Sequence, residues 1–208
     1  MEKIDFKKKY KELYKASDRK VTFIEFPLLP HLAVDGKGHP EKQPYFTNAI
    51  AALYGIAYTL KFSLKSTVSE QPKGYYDFTV PPLSTQYYTE EGTEFNVTKP
   101  EEWRWTMMMM LPEYVSKILI DNAIKTLREK KGTTVPESLR IIDFTDGKAA
   151  QIMHIGPYDQ VERSYDKIIS ELNNKGLKIN GKHHEIYLSG PRRTPPEKLK
   201  TILRIPYK

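Results

Sequence analysis

A strand ending in a Gly/Pro turn, an amphipathic helix and two further strands follow one another twice along this chain, and a doubled unit narrows the possible folds sharply. GHPEKQPYFTNAI from Gly38 matches GPYDQVERSYDKI from Gly156 in its turn and in the helix that follows. YYDFTVPP from Tyr75 parallels HHEIYLSGP from His183, which sets Asp77 against Glu185. Pro100-Glu101-Glu102, before a Trp-rich strand, parallels Pro196-Glu197-Lys198, before the last strand. Two βαββ modules of this kind predict an α+β fold with a pseudo-twofold axis. Their strands join into one antiparallel sheet, helices cover one face, and the other face curves into a ligand cleft.

Periodicity places the elements. Asp5 to Lys15 reads as a short helix with Phe6, Tyr10, Leu13 and Tyr14 on one side, and residues 1–20 are expected to form a helical extension before a domain of residues 21–208. The first module, about 21–111, opens with VTFIEFPLLPHLAV, read as strand with a kink or edge position at Pro27 and Pro30. Phe46, Ile50, Leu53, Tyr54 and Ala57 then mark a helix over Tyr45 to Leu60, and YYDFTVPPLSTQYY follows as strand. In WRWTMMMML, alternation puts Trp103, Trp105, Met107 and Met109 on one face. Pro112 and Glu113 open a connecting helix over 112–131, with Val115, Ile118, Leu119, Ala123, Ile124 and Leu127 as its stripe and Gly132 as its stop. The second module, about 140–208, starts with strands at Arg140 to Phe144 and Ala149 to Ile155, joined as a hairpin by Asp146-Gly147. A helix capped by Asp159 and ended by Gly176 follows, with Tyr165, Ile168, Ile169 and Leu172 inward. Two strands close the chain, at about His183 to Leu188 and Leu199 to Pro206.

Composition removes whole function classes. The 208 residues contain no cysteine, so disulfides and thiolate sites are excluded. The charged N-terminus lacks the apolar core of a secretory signal and no run of about 18 apolar residues occurs, so a cytoplasmic protein with no membrane partner is expected. On that expectation the Asn96-Val97-Thr98 sequon is incidental. The formal charge of +7 is scattered rather than striped. With no helix-turn-helix or RNP-type motif, this disfavours direct nucleic-acid binding. The five histidines make no zinc spacing and no phosphate-binding glycine loop is present, so neither metal nor cofactor is expected. Ser189, His154 and Asp159 could be assembled into a triad, but no nucleophile elbow supports one.

What remains is Glu185, a carboxylate in a strand of apolar and aromatic neighbours. His183, Glu185 and Tyr187 share one face while His184, Ile186 and Leu188 share the other. A solvated strand face would be the ordinary explanation. The doubled architecture points instead to a cleft where the halves meet, with Trp103, Trp105, Met109, Tyr187 and Glu185 as its wall. Four consecutive methionines fit an adaptable lining as well as they fit plain core.

EIYLSGPRRTPPEKLKTILRIP, with the Gly-Pro-Tyr turn at Gly156 to Tyr158 and WRWTMMMMLP, resembles the GyrI-like small-molecule-binding proteins over about Phe23 to Pro206. The resemblance implies two βαββ modules, an aromatic ligand pocket floored by Glu185, and, for stand-alone members, hydrolysis of cyclopropanoid DNA-alkylating natural products. Plain drug sequestration and DNA gyrase binding are the alternatives it implies. As a hydrolase the chain would use Glu185 as the base for water and Tyr187 as the donor or water-orienting group. Trp103, Trp105, Met109 and His183 would line the aromatic ligand's site. A buried carboxyl also needs a group that keeps it ionised, and His183, tyrosine hydroxyls and Arg104 are the candidates.

Overall fold

The computed structural model describes residues 3–90, 92, 99–131 and 133–208. Gly132 and the Asn96–Thr98 sequon lie outside the described residues. The N-terminal segment holds strand β1 (Lys3–Asp5) and two single-turn helices, α1 (Phe6–Lys9) and α2 (Lys11–Tyr14). Asp5 caps α1 by accepting from the Lys7 N–H. The helix expected from Asp5 to Lys15 is therefore broken at Tyr10, whose φ of −110° and ψ of 52° leave the helical region.

The first module runs β2 (Thr22–Phe26), β3 (Leu29–Lys37), α3 (Pro44–Ser66), β4 (Asp77–Thr79), β5 (Ser84–Tyr88) and β6 (Arg104–Met110). Helix α4 (Lys117–Lys131) connects it to β7 (Arg140–Phe144), β8 (Gly147–Ile155), α5 (Glu162–Asn174), β9 (His183–Tyr187) and β10 (Lys200–Pro206). Eight strands form one curled antiparallel sheet in the order β2-β8-β10-β9-β5-β6-β3-β7, and β1 pairs separately, in parallel, with β4. The order reads β8-β10-β9 on one side of the middle and β3-β6-β5, inverted, on the other. The pseudo-twofold axis thus passes between β9 and β5.

Three expectations are corrected by the pairing. VTFIEFPLLPHLAV is two strands, because β2 pairs with β8 and β3 with β6 and β7. The Asp146-Gly147 turn joins no hairpin: β7 leaves for the far edge to pair with β3 while β8 pairs with β2 and β10. Each module's outermost strand is therefore supplied by the other module. YYDFTVPPLSTQYY likewise splits, and β4, with Asp77, lies outside the main sheet.

The register of the ladders fixes how the halves correspond. Leu29 of β3 answers to Gly147 of β8, Arg104 of β6 to Lys200 of β10, and Thr85 and Tyr87 of β5 to Glu185 and Tyr187 of β9. Thr85, not Asp77, is the counterpart of Glu185. Thr85 and Glu185 are also direct cross-strand partners, so the two straddle the axis.

Helices α3 and α5 lie on one face. Under α3 the core gathers Leu53, Ile56 and Leu60 against Leu32, Val34, Trp105, Met107 and Met109. Under α5 a second cluster packs Val161, Ile168 and Leu172 on Ala150, Ile152, Leu203 and Ile205. Helix α4 packs on α3, where a Cβ at Gly55 would meet Leu127 at 2.9 Å. It starts later than Pro112, at Lys117, with the Ser116 hydroxyl accepting from the Leu119 N–H. Its buried stripe is Ile120, Ala123 and Leu127, with Ile118 exposed. Helix α5 also begins after Asp159, at Glu162, and ends where expected: Gly176 takes φ +69° and the Leu177 N–H reaches back to the Leu172 carbonyl.

The opposite face is covered by the N-terminal segment. Arg204 donates to the Leu13 carbonyl at 2.7 Å and to Asp146 at 3.2 Å, and Gln151 donates to the Glu12 carbonyl at 2.8 Å. His184, as expected, points away from His183 and bonds Asp146 at 2.7 Å on this face.

Candidate functional site

Glu185 faces Thr85 on β5 and Leu203 on β10, while Thr85 faces Met107 on β6. Those neighbours belong to the helix-bearing side, so Glu185 lies on the same face as α3 and α5, on the strip of sheet between their two cores. Glu185 thus stands on the helix-bearing face and not on the face away from the helices. The reason is steric: each helix covers its own module's strands, and the two central strands, β5 and β9, are left as the floor.

The residues on that floor form a polar group in an aromatic surround. Glu185 is only 5% exposed, and its Oε1 lies 2.9 Å from Nε2 of His183, two residues back on the same strand face. With the carboxylate ionised, the imidazole N–H is the donor, which supplies the stabilising partner that a buried carboxylate requires. The hydroxyls of Tyr87 and Tyr187, equivalent under the pseudo-twofold, meet at 2.9 Å. Burial, and then the Glu185 charge, push both phenols well above their ordinary range. They stay neutral and keep their protons. One of the two O–H groups donates to the other tyrosine.

Above this floor stand further rings. Tyr158, in the turn before α5, packs edge-on against Tyr187 at 5.6 Å, and burial, followed by the Glu185 charge, raises its pKa. Tyr165 of α5 lies against His183 at 5.3 Å, and Trp103 against Tyr87 at 5.4 Å, with His39 stacked on Trp103. Tyr54 of α3 lies close enough to Tyr158 to influence it electrostatically.

The structure thus brings together Glu185, His183, Tyr187 and Trp103. It does not bring Trp105 or Met109 to this group. Both have no exposed surface, and Trp105 lies under the start of α3 with Phe46 edge-on at 5.0 Å. Arg104 points the other way and pairs with Glu90. Tyr87, Tyr158, Tyr165, Tyr54 and Thr85 escaped the sequence reading. Tyr87 was recoverable: once STQYY rather than YYDFT is aligned with HEIYL, Tyr87 falls on Tyr187.

Comparison with known proteins agrees with this architecture. The family described as the GyrI-like small molecule binding domain matches residues 19–208. A crystal structure of an uncharacterized conserved protein from Listeria innocua is 37% identical, with 99% of this chain and all of that one covered at a TM-score of 0.88. Two crystal structures described as hydrolases from the same organism are 35% and 36% identical. They cover 99% and 100% of this chain and all of their own, at TM-scores of 0.85 and 0.88. No curated protein matches. The doubled βαββ sheet, with Glu185 on the strip between α3 and α5, and a family match that spans nearly the whole chain make this protein a member of the GyrI-like small-molecule-binding family.

Proposed function

We propose that the protein is a hydrolase that opens the cyclopropane ring of cyclopropanoid DNA-alkylating natural products, acting inside the cell to protect it. The observation that carries this reading is the pairing of Glu185 with His183 at 2.9 Å beside the Tyr87–Tyr187 hydroxyl pair. A base and a neutral donor stand together on one buried floor. Similarity to Listeria proteins described as hydrolases supports the reaction class, and the family resemblance supports the substrate.

The step uses only water. Glu185 removes a proton from a water held over the floor as the water oxygen bonds to a ring carbon. The strained C–C bond breaks, its electron pair moves into the conjugated carbonyl, and an O–H of the tyrosine pair, reorienting toward the ligand, donates to that developing oxyanion. Proton return from Glu185 through solvent restores the site, and the product is the ring-opened alcohol. His183 keeps the carboxylate oriented, while Tyr158, Trp103 and Tyr165 would sandwich a flat ligand and exclude bulk water.

A second reading has its own support: a carboxylate ringed by tyrosines also suits a cationic aromatic ligand bound without reaction. One comparison separates them. With a cyclopropane-bearing alkylator, the parent is expected to turn over at catalytic stoichiometry, and Glu185→Gln to lose at least about 10²-fold in kcat while retaining affinity. Stoichiometric protection that survives Glu185→Gln would sink the enzyme reading and leave the binding one.

A further inference from the structure

The two halves differ most informatively where the turn before each helix meets the sheet. In both, the turn glycine is tied to the strand behind it by the same bond: Gly38 N–H to the Trp103 carbonyl at 2.8 Å, and Gly156 N–H to the Leu199 carbonyl at 3.0 Å. The glycines take φ +83° and +141° respectively. Backbone alone is therefore enough to build this turn. The side chains beneath it are not alike. In the first module the space is filled by Gly36, Trp105 and Phe46, and in the second the equivalent positions hold His154, Thr201 and Ser164.

His154 uses both ring nitrogens. Nε2 lies 3.0 Å from the Pro157 carbonyl and Nδ1 lies 3.0 Å from the Ser164 hydroxyl. A carbonyl oxygen can only accept, so Nε2 carries the proton; in the neutral ring Nδ1 then accepts and Ser164 donates. The histidine joins the turn to the first turn of α5, and the residue after Pro157 is Tyr158, the ring set edge-on to Tyr187 beside Glu185. In the first module the counterpart of His154 is Gly36, which has no side chain to bond the turn, and the position corresponding to Tyr158 is Pro40.

We propose that His154, with Ser164, is a positioning residue: it fixes the Pro157 carbonyl and thereby holds Tyr158 as the wall that sets which ligands fit over Glu185. This rests on the reading of the Glu185 cleft as the ligand site. It predicts that His154 acts through Tyr158 and through nothing else.

The test is a double-mutant cycle on affinity for ethidium, a planar aromatic cation, followed by fluorescence. Tyr158→Ala and His154→Phe are each expected to weaken binding, the latter by roughly 3- to 10-fold, the scale of one lost hydrogen bond. In the Tyr158→Ala background, His154→Phe is expected to have no further effect. His154→Gln, which keeps a donor for the Pro157 carbonyl, is expected to restore most of the affinity, a rescue that a loss of packing would not show. Additive losses in the cycle, or a His154→Phe variant that binds like the parent while Tyr158→Ala does not, overturn the proposal and leave the cleft reading intact. If the parent fails to bind, or if Tyr158→Ala and Glu185→Gln both bind like the parent, the cleft reading falls and the proposal with it.

Discussion

At the scale of the residue, Trp105 and Gly36 behave as one packing unit. A Cβ on Gly36 would stand 2.0 Å from the indole ring, far inside contact distance. Gly36→Ala is therefore expected to cost about 1–3 kcal/mol, the usual penalty for overpacking a dense core, read as a lower urea midpoint at unchanged m-value. Trp105→Phe leaves a void under α3 and is expected to lower stability on a similar scale while ligand affinity stays within about twofold. Selective loss of affinity at full stability would return Trp105 to the ligand wall. The sequence carried the identity of Glu185, Tyr187 and His183 because alternation on β9 is regular and all three project to one side. It could not carry the fate of Trp105. Alternation gives the face of a strand, whereas burial under α3 depends on the helix that happens to lie above it.

At the scale of the element, β3 carries a histidine whose charge state sets an acid limit on the fold. His31 is buried with its Nδ1 2.8 Å from the Leu29 carbonyl. Burial, reinforced by the neighbouring His184 and Arg204 and opposed by that carbonyl and by Asp146, lowers its pKa to about 4. The unfolded chain binds a proton near the ordinary histidine value, so between about pH 6.5 and 4 the unfolded state holds more protons than the folded one. Stability is full above that window and falls as the pH drops through it, by roughly 3 kcal/mol from this residue alone. Asp146 adds to the loss at lower pH. Although burial opposes it, His184 and Arg204 hold its pKa below the usual carboxylate range, and its contribution disappears as it protonates. Urea unfolding at pH 7.5 and 5 is expected to show the decline, and His31→Leu to flatten it; an equal slope in the variant would rule His31 out as the source. Helices were the most legible elements, since α3 and α5 carry their apolar residues at helical spacing. Their starts were not, because Ser116 at α4 and the extra turn at Tyr158–Gln160 before α5 set the boundary by hydrogen bonds that spacing does not report.

At the scale of the whole molecule, the exchange of β2 and β7 makes the two modules one cooperative body. Neither module has its outer strand unless the other is folded, so unfolding is expected to be a single transition despite the doubled architecture. Both tryptophans, Trp103 and Trp105, lie in the first module, which gives a clean test. Ile152→Ala, in the second module's core, is expected to cost about 2–5 kcal/mol and to shift the tryptophan fluorescence midpoint as far as the circular dichroism midpoint. A fluorescence midpoint that stays put would mean the modules unfold separately. The exchange was invisible in the sequence because strand partners at a sheet edge are chosen by geometry across the whole fold. The Asp146-Gly147 pair, a sound local hairpin signal, was overridden by the pairing of β7 with β3. The axis itself carries a last implication. A perfectly repeated chain would set a second carboxylate where Thr85 stands, across from Glu185, and two like charges at that distance would compete for one proton. Thr85 breaks the duplication at the one point where copying would be self-defeating. The floor consequently has a head and a tail, and under the proposed function a guest with one polar end is expected to lie across it in only one direction.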